Sequence, residues 1–174
     1  MHSKLLWKLN GLLVILLSTA CGYSVSVNDR VVYTPPSLFT DYQIADQFLA
    51  KCVEQTILDN TVHHAAGLTR LNCSSAGIQS LKGLEVFSAI EEINLAQNKL
   101  RTIQELAQLP RLQVVVLRDN QLEDVAPLLA LLQLRVLDLS ENDTLPCTDI
   151  AQMEQEWAGL GTTLIKPSQC RAAS

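Results

Sequence analysis

From Leu68 onward, apolar residues recur in one register every 22 positions. One column reads Leu68, Ile90, Leu112, Leu134, the next Leu71, Ile93, Val115, Leu137, and the third Cys73, Leu95, Leu117, Leu139. A mostly polar column follows at Ala76, Asn98, Asn120 and Asn142. Four more apolar columns start at Ile78, Leu81, Leu84 and Phe87, and they end at Thr144, Cys147, Ile150 and Met153. Alternate apolar residues, as at Ile93 and Leu95, place every second side chain of a short strand inside. Each 22-residue coil then returns to begin the next strand about 4.8 Å along the stack. One coil cannot bury its own apolar face, so at least three must stack.

The segments from Ile90 to Leu100 and from Leu112 to Leu122 match the pattern L-x-x-L-x-L-x-x-N-x-L and resemble leucine-rich repeats of the short, internalin-like bacterial kind. The resemblance covers roughly residues 45–170. It implies an α/β fold: a solenoid of about four coils with a curved parallel sheet on one side and capped ends. Spacing on the return side, as in Ile78, Leu81 and Leu84, suits a turn of 3₁₀ helix better than a long α-helix. The Asn column lies inside the bend, where its amides can satisfy backbone groups. In the first unit the position is Ala76, so that bend must be satisfied differently.

Both ends of a stacked array need covering. Asp41 to Asp59 reads as an amphipathic helix with Thr40 or Asp41 as N-cap, and Ile44, Phe48, Cys52, Val53, Thr56 and Ile57 on its apolar face. At the other end, Thr148 is expected to cap a helix carrying Ile150, Met153, Trp157 and Leu160, stopped by Gly159 and Gly161. A last strand at Leu164 and Ile165 leads through Pro167 to Cys170. Cys73 belongs to the first coil and Cys147 to the fourth, about three strand spacings away, whereas bridged Cα atoms must lie within about 7 Å. The pairing expected is therefore Cys52–Cys73 and Cys147–Cys170, one disulfide for each cap.

The first twenty residues are not fold. Lys4 and Lys8 precede a short apolar run, Leu9 to Leu17, that is too short to span about 30 Å of hydrocarbon and reads as a signal peptide. Leu17-Ser18-Thr19-Ala20-Cys21 resembles the lipobox of bacterial lipoproteins, with Ser18 where an aliphatic residue is usual. That resemblance implies cleavage before Cys21 and its lipidation, leaving four cysteines to pair in an oxidising compartment. Gly22 after the cysteine resembles lipoproteins sorted to the outer membrane, with the periplasmic side expected. The organisation is then signal peptide 1–20, lipid-anchored tether 21–40, N-terminal helical cap 41–67, repeats 68–147 and C-terminal cap 148–174. Within the tether, Tyr23, Val25 and Val27, then Val31 and Tyr33, alternate with polar residues and can form an edge strand.

The 174-residue chain is 48% hydrophobic but only 5% aromatic, as suits a core of many small stacked units. Its formal charge is −5, and without Lys4 and Lys8 it has 11 basic and 18 acidic residues, or −7. Nucleic acid is not an expected partner, because neutralising phosphates takes a basic stripe. No catalytic set, cofactor motif or metal cluster is expected. The pair His63-His64 reads as solvated, as do Glu91-Glu92 and Glu123-Asp124.

Function is expected on the outward positions between the inward leucines. One row is Arg70, Glu92, Val114, Val136; its neighbours are Asn72, Asn94, Val116, Asp138 and Ser74, Ala96, Arg118, Ser140. The three valines form an apolar centre with Glu92, Arg118 and Asp138 around them, as at protein interaction sites. Strand surfaces also favour β-branched residues for their own sake. The candidate partner-binding residues are thus Arg70, Glu92, Asn94, Val114, Val116, Arg118, Val136 and Asp138, for a protein partner of a monomeric or weakly self-associating chain. The alternative is an envelope scaffold whose repeats self-associate.

Overall fold

The computed structural model describes residues 25–27, 30–33 and 37–170. The expected signal peptide and the expected lipidation site Cys21 lie outside the described residues. Strands β1 (Val25–Val27) and β2 (Arg30–Tyr33) pair antiparallel as a two-stranded sheet of their own. The rest forms a second compact unit from Ser37 onward.

That unit begins with an extended segment that packs Phe39 and Tyr42 on the buried Phe87, with ring centroids 5.9 and 5.3 Å away. The Phe39 N–H donates to the Val62 carbonyl and the Ala45 N–H to the Lys82 carbonyl. These bonds hold residues 41–46 out of the helix expected there. Helix α1 instead spans Gln47–Asp59, with Asp46 as its N-cap. Its buried stripe is Leu49, Val53 and Ile57, so Phe48, expected inside, faces outward at 44% exposure.

Five parallel strands follow in sequential order: β3 (Arg70–Asn72), β4 (Glu92–Asn94), β5 (Val114–Val116), β6 (Val136–Asp138) and β7 (Thr163–Ile165). Pairing keeps the 22-residue register, with Leu71 opposite Ile93, Ile93 opposite Val115 and Val115 opposite Leu137. Return segments at Leu84–Val86, Gln104–Gln108 and Ala126–Ala130 are short 3₁₀ turns. The inward columns form one continuous core. Burying a single leucine there contributes about 2 kcal/mol relative to exposing it.

At the bend after each strand, Ser75, Gln97, Asp119 and Glu141 adopt φ of 55°, 57°, 56° and 58°. This left-handed residue turns the chain so that the next side chain points inward. In the later coils that side chain is Asn98, Asn120 or Asn142, each buried with its amide donating to backbone carbonyls of its own and the preceding coil. The first bend, lacking its own asparagine, is served by the second coil. Asn98 Oδ1 accepts from the N–H groups of Ala76, Gly77 and Ile78.

The last coil departs from the expected columns. Thr144 and Cys147 are exposed, and Leu145 takes the inward place. Helix α2 (Cys147–Glu156) starts after Pro146, which occupies the N-cap position expected for Thr148. Ile150, Met153 and Trp157 are buried against the array, whereas Leu160 is half exposed. Gly159 and Gly161, at φ 94° and 76°, turn the chain into β7, which extends the sheet beyond the four coils of the repeat. Disulfides join Cys52 to Cys73 and Cys147 to Cys170, with Cα separations of 5.8 and 5.1 Å, and staple the two caps.

Candidate partner-binding face

Inward and outward residues alternate along every strand of the sheet. In β3 the inward Leu71 is flanked by exposed Arg70 and Asn72; in β5 the inward Val115 is flanked by half-buried Val114 and Val116. Cα register aligns two outward rows, Arg70, Glu92, Val114, Val136, Thr163 and Asn72, Asn94, Val116, Asp138, Ile165. Val114, Val116 and Val136 form the apolar patch, and the fifth strand adds Ile165, 39% exposed, beyond Asp138.

Over the first three strands the surface is a groove of about 460 Å³. Arg70, Glu92, Asn94, Val114 and Val116 line it, together with Asn72 and with Thr56, Asp59 and Asn60 from the last turn of α1. Sequence reasoning missed the three helix residues. The spacing of Thr56, Asp59 and Asn60 puts them on one helix face, but only the docking of α1 over β3 brings that face to the sheet. Of the other expected site residues, Val136 and Asp138 lie on β6 beyond the groove, and Arg118 stands past the end of β5, 3.6 Å from the Glu141 carboxylate in an exposed ion pair.

The asparagine row has a second task. Asn72, Asn94 and Asp138 each turn Oδ1 back to accept the N–H two residues on, at 3.3, 3.0 and 3.0 Å. Such local bonds cap the strand ends. Val116 interrupts the row and makes its place apolar. Arg70 and Glu92 differ again: both are exposed neighbours in the row, of opposite charge, and among the described residues neither enters an ion pair.

His63 is exposed, its Nδ1 lying 3.0 Å from the Ser37 carbonyl. Among the described residues no cluster of three or more metal-ligating side chains occurs, and no helix is long and apolar enough to cross a membrane.

No protein-family model and no curated protein matches the chain. Solved structures do. Internalin C2 of Listeria monocytogenes superposes with a TM-score of 0.58 at 17% identity, covering 70% of this chain and 64% of that one. The internalin InlF of the same organism gives 0.57 at 20% identity, covering 71% and 43%. The chain has the leucine-rich repeat fold. It spans less than two thirds of the length of either internalin.

Proposed function

We propose that this leucine-rich repeat chain is a non-catalytic module that binds a protein through its outward strand face, displayed in the bacterial cell envelope by a lipid on Cys21. One observation carries the reading: Val114, Val116 and Val136 gather on the water-facing side of the sheet, with Ile165 beyond Asp138. An apolar centre inside a polar rim is the make-up of protein interfaces. The lipobox-like segment before Cys21 and two disulfides support an exported, anchored protein, and the acidic balance speaks against nucleic acid. The envelope site expected is the outer membrane, facing the periplasm. The likeness to internalins supports a binding scaffold through the shared fold alone.

Affinity capture tests the face. A chain starting at residue 22 is compared with a version carrying Val114→Asp, Val116→Asp and Arg118→Ala. Recovery of a defined protein by the first and not the second is the expected result, and equal recovery by both would refute the proposal. A homodimer that dissociates on Val116→Asp would assign the face to self-association instead. Mass spectrometry of the full chain from the cell envelope tests the anchor: a free Cys21 thiol, or cleavage elsewhere, removes it.

A further inference from the structure

We infer that the occupant of the groove is a polypeptide segment carrying, along the strand row, an acidic side chain, a basic side chain and then apolar side chains. This rests on the binding-face reading and adds to it the chemistry of the partner.

The order follows from the lining. Arg70 and Glu92 occupy neighbouring positions in the row, about one strand spacing of 4.8 Å apart, yet make no ion pair with each other or with any other described residue. Elsewhere on this solenoid three pairs of opposite charge do close: Arg101 with Glu123, Arg118 with Glu141, Glu154 with Lys166. Arg70 and Glu92 thus keep a guanidinium fork and a carboxylate open towards the groove. The fork matches a partner carboxylate with two parallel hydrogen bonds, and the carboxylate accepts from an ammonium or guanidinium. One strand further, Val114 and Val116 offer only hydrocarbon, continued by Val136, while Asp138 follows Val116 in its row. Along the row from β3 to β5 the surface is cationic, anionic, then apolar.

The groove holds about 460 Å³ and opens to solvent, with Thr56, Asp59 and Asn60 lining its end beside the helix. Asp59 on the helix wall keeps its negative charge, its Oδ1 accepting from Gln55 Nε2 at 2.7 Å, and Arg70 is the first charge of the strand row itself.

The test uses the purified full-length chain and two synthetic peptides. One carries glutamate, lysine and two valines in that order, separated by serines; its isomer has the glutamate and lysine exchanged. Because the valines fix the apolar end, the design reads charge order whichever way the peptide runs. The native chain is expected to bind the first isomer about tenfold more tightly, and the exchanged variant Arg70→Glu/Glu92→Arg to prefer the second. Both sites are exposed, and an unchanged thermal transition verifies that the variant folds. Equal binding of the isomers, or a preference that survives the exchange, overturns the charge order. No binding of either peptide overturns the peptide occupant, whereas the binding-face reading stands or falls on the capture experiment alone.

Discussion

The Asp46 carboxylate accepts the backbone N–H of Gln79 at 2.8 Å, across 33 residues of chain. Its other oxygen accepts from Phe48 and Leu49 at the start of α1, and Ser80 adds a fourth bond to the first oxygen. One side chain thereby caps the helix and fixes it to the first coil. Burial pushes the Asp46 carboxyl up, but the four backbone hydrogen bonds outweigh it and hold the group below its ordinary value of 3.8. A carboxylate depressed by folding adds stability above its unfolded pKa and loses it as pH falls through the folded one.

Asp46→Ala is accordingly expected to cost about 2 kcal/mol at neutral pH, from a lost N-cap and two unmet N–H groups. Asp46→Asn keeps one accepting oxygen and should cost roughly half as much. Urea midpoints at pH 7 and near pH 3 check both. The wild-type advantage over Asp46→Ala should shrink on the acid side, below about pH 4. A constant gap at all pH values would show that the carboxylate is not the cause.

Asn98 supplies what the first coil lacks. Its Oδ1 takes three N–H groups of that coil and its Nδ2 reaches the Cys73 and Leu95 carbonyls. Asn120 makes the same carbonyl contacts one coil on, but its oxygen takes only the Leu100 N–H. Asn98→Ala should therefore cost more than Asn120→Ala, about 4 against about 2–3 kcal/mol, since each buried group left unpaired costs about 1–3 kcal/mol. Chemical denaturation of the two variants ranks them, and the reverse order would contradict this account.

The inward columns were readable because each is a burial decision repeated at a fixed interval, and the stack makes the same demand four times. What repeats only once was harder to read. Thr40, Asp41 and Asp46 are all good cap residues, and the choice of Asp46 depends on Gln79 and Ser80, far along the chain. Cys52 drew the expected helix face towards Phe48, yet the disulfide is reached from the edge of the stripe centred on Val53. In the last coil, Pro146 ends the repeat pattern early, and Leu145 fills the core in place of its neighbour Thr144. The outward rows were likewise visible, but the groove was not, because its far wall belongs to a helix placed by tertiary packing.

Gly83 shows how closely the N-terminal segment lies on the first coil. Its φ is 101°, and a Cβ there would overlap the Gln43 carbonyl and sit 2.9 Å from the Ile44 Cα. Gly83→Ala combines backbone strain with a steric clash against main chain, each worth about 1–3 kcal/mol. A loss of about 3 kcal/mol is expected by urea denaturation. Gly77→Ala, at φ 85° with open space around its Cβ, isolates the strain and should cost about 1–2 kcal/mol. Equal costs at the two sites would mean that the segment moves away freely.

The left-handed position of each bend is a reserve of stability. Side-chain-bearing residues cost roughly 1–2 kcal/mol in this region, and asparagine costs least among them because its short polar side chain bonds locally. Only Asp119 belongs to the tolerant kind, while Ser75, Gln97 and Glu141 hold the same φ within a few degrees because the coil imposes it. Gln97→Asn should raise stability by a few tenths to about 1 kcal/mol, even after losing the exposed bond from the Ser75 hydroxyl to Gln97 Oε1. Gln97→Val, β-branched and without a local acceptor, should cost about 2 kcal/mol. Asp119→Asn, already in the tolerant class, should change little. A shift in the urea midpoint at unchanged slope reports each effect cleanly. If Asn at position 97 brought no gain while Val brought no loss, the bend would be relaxing away from its left-handed geometry, and the inward asparagines that depend on it would lose their placement too.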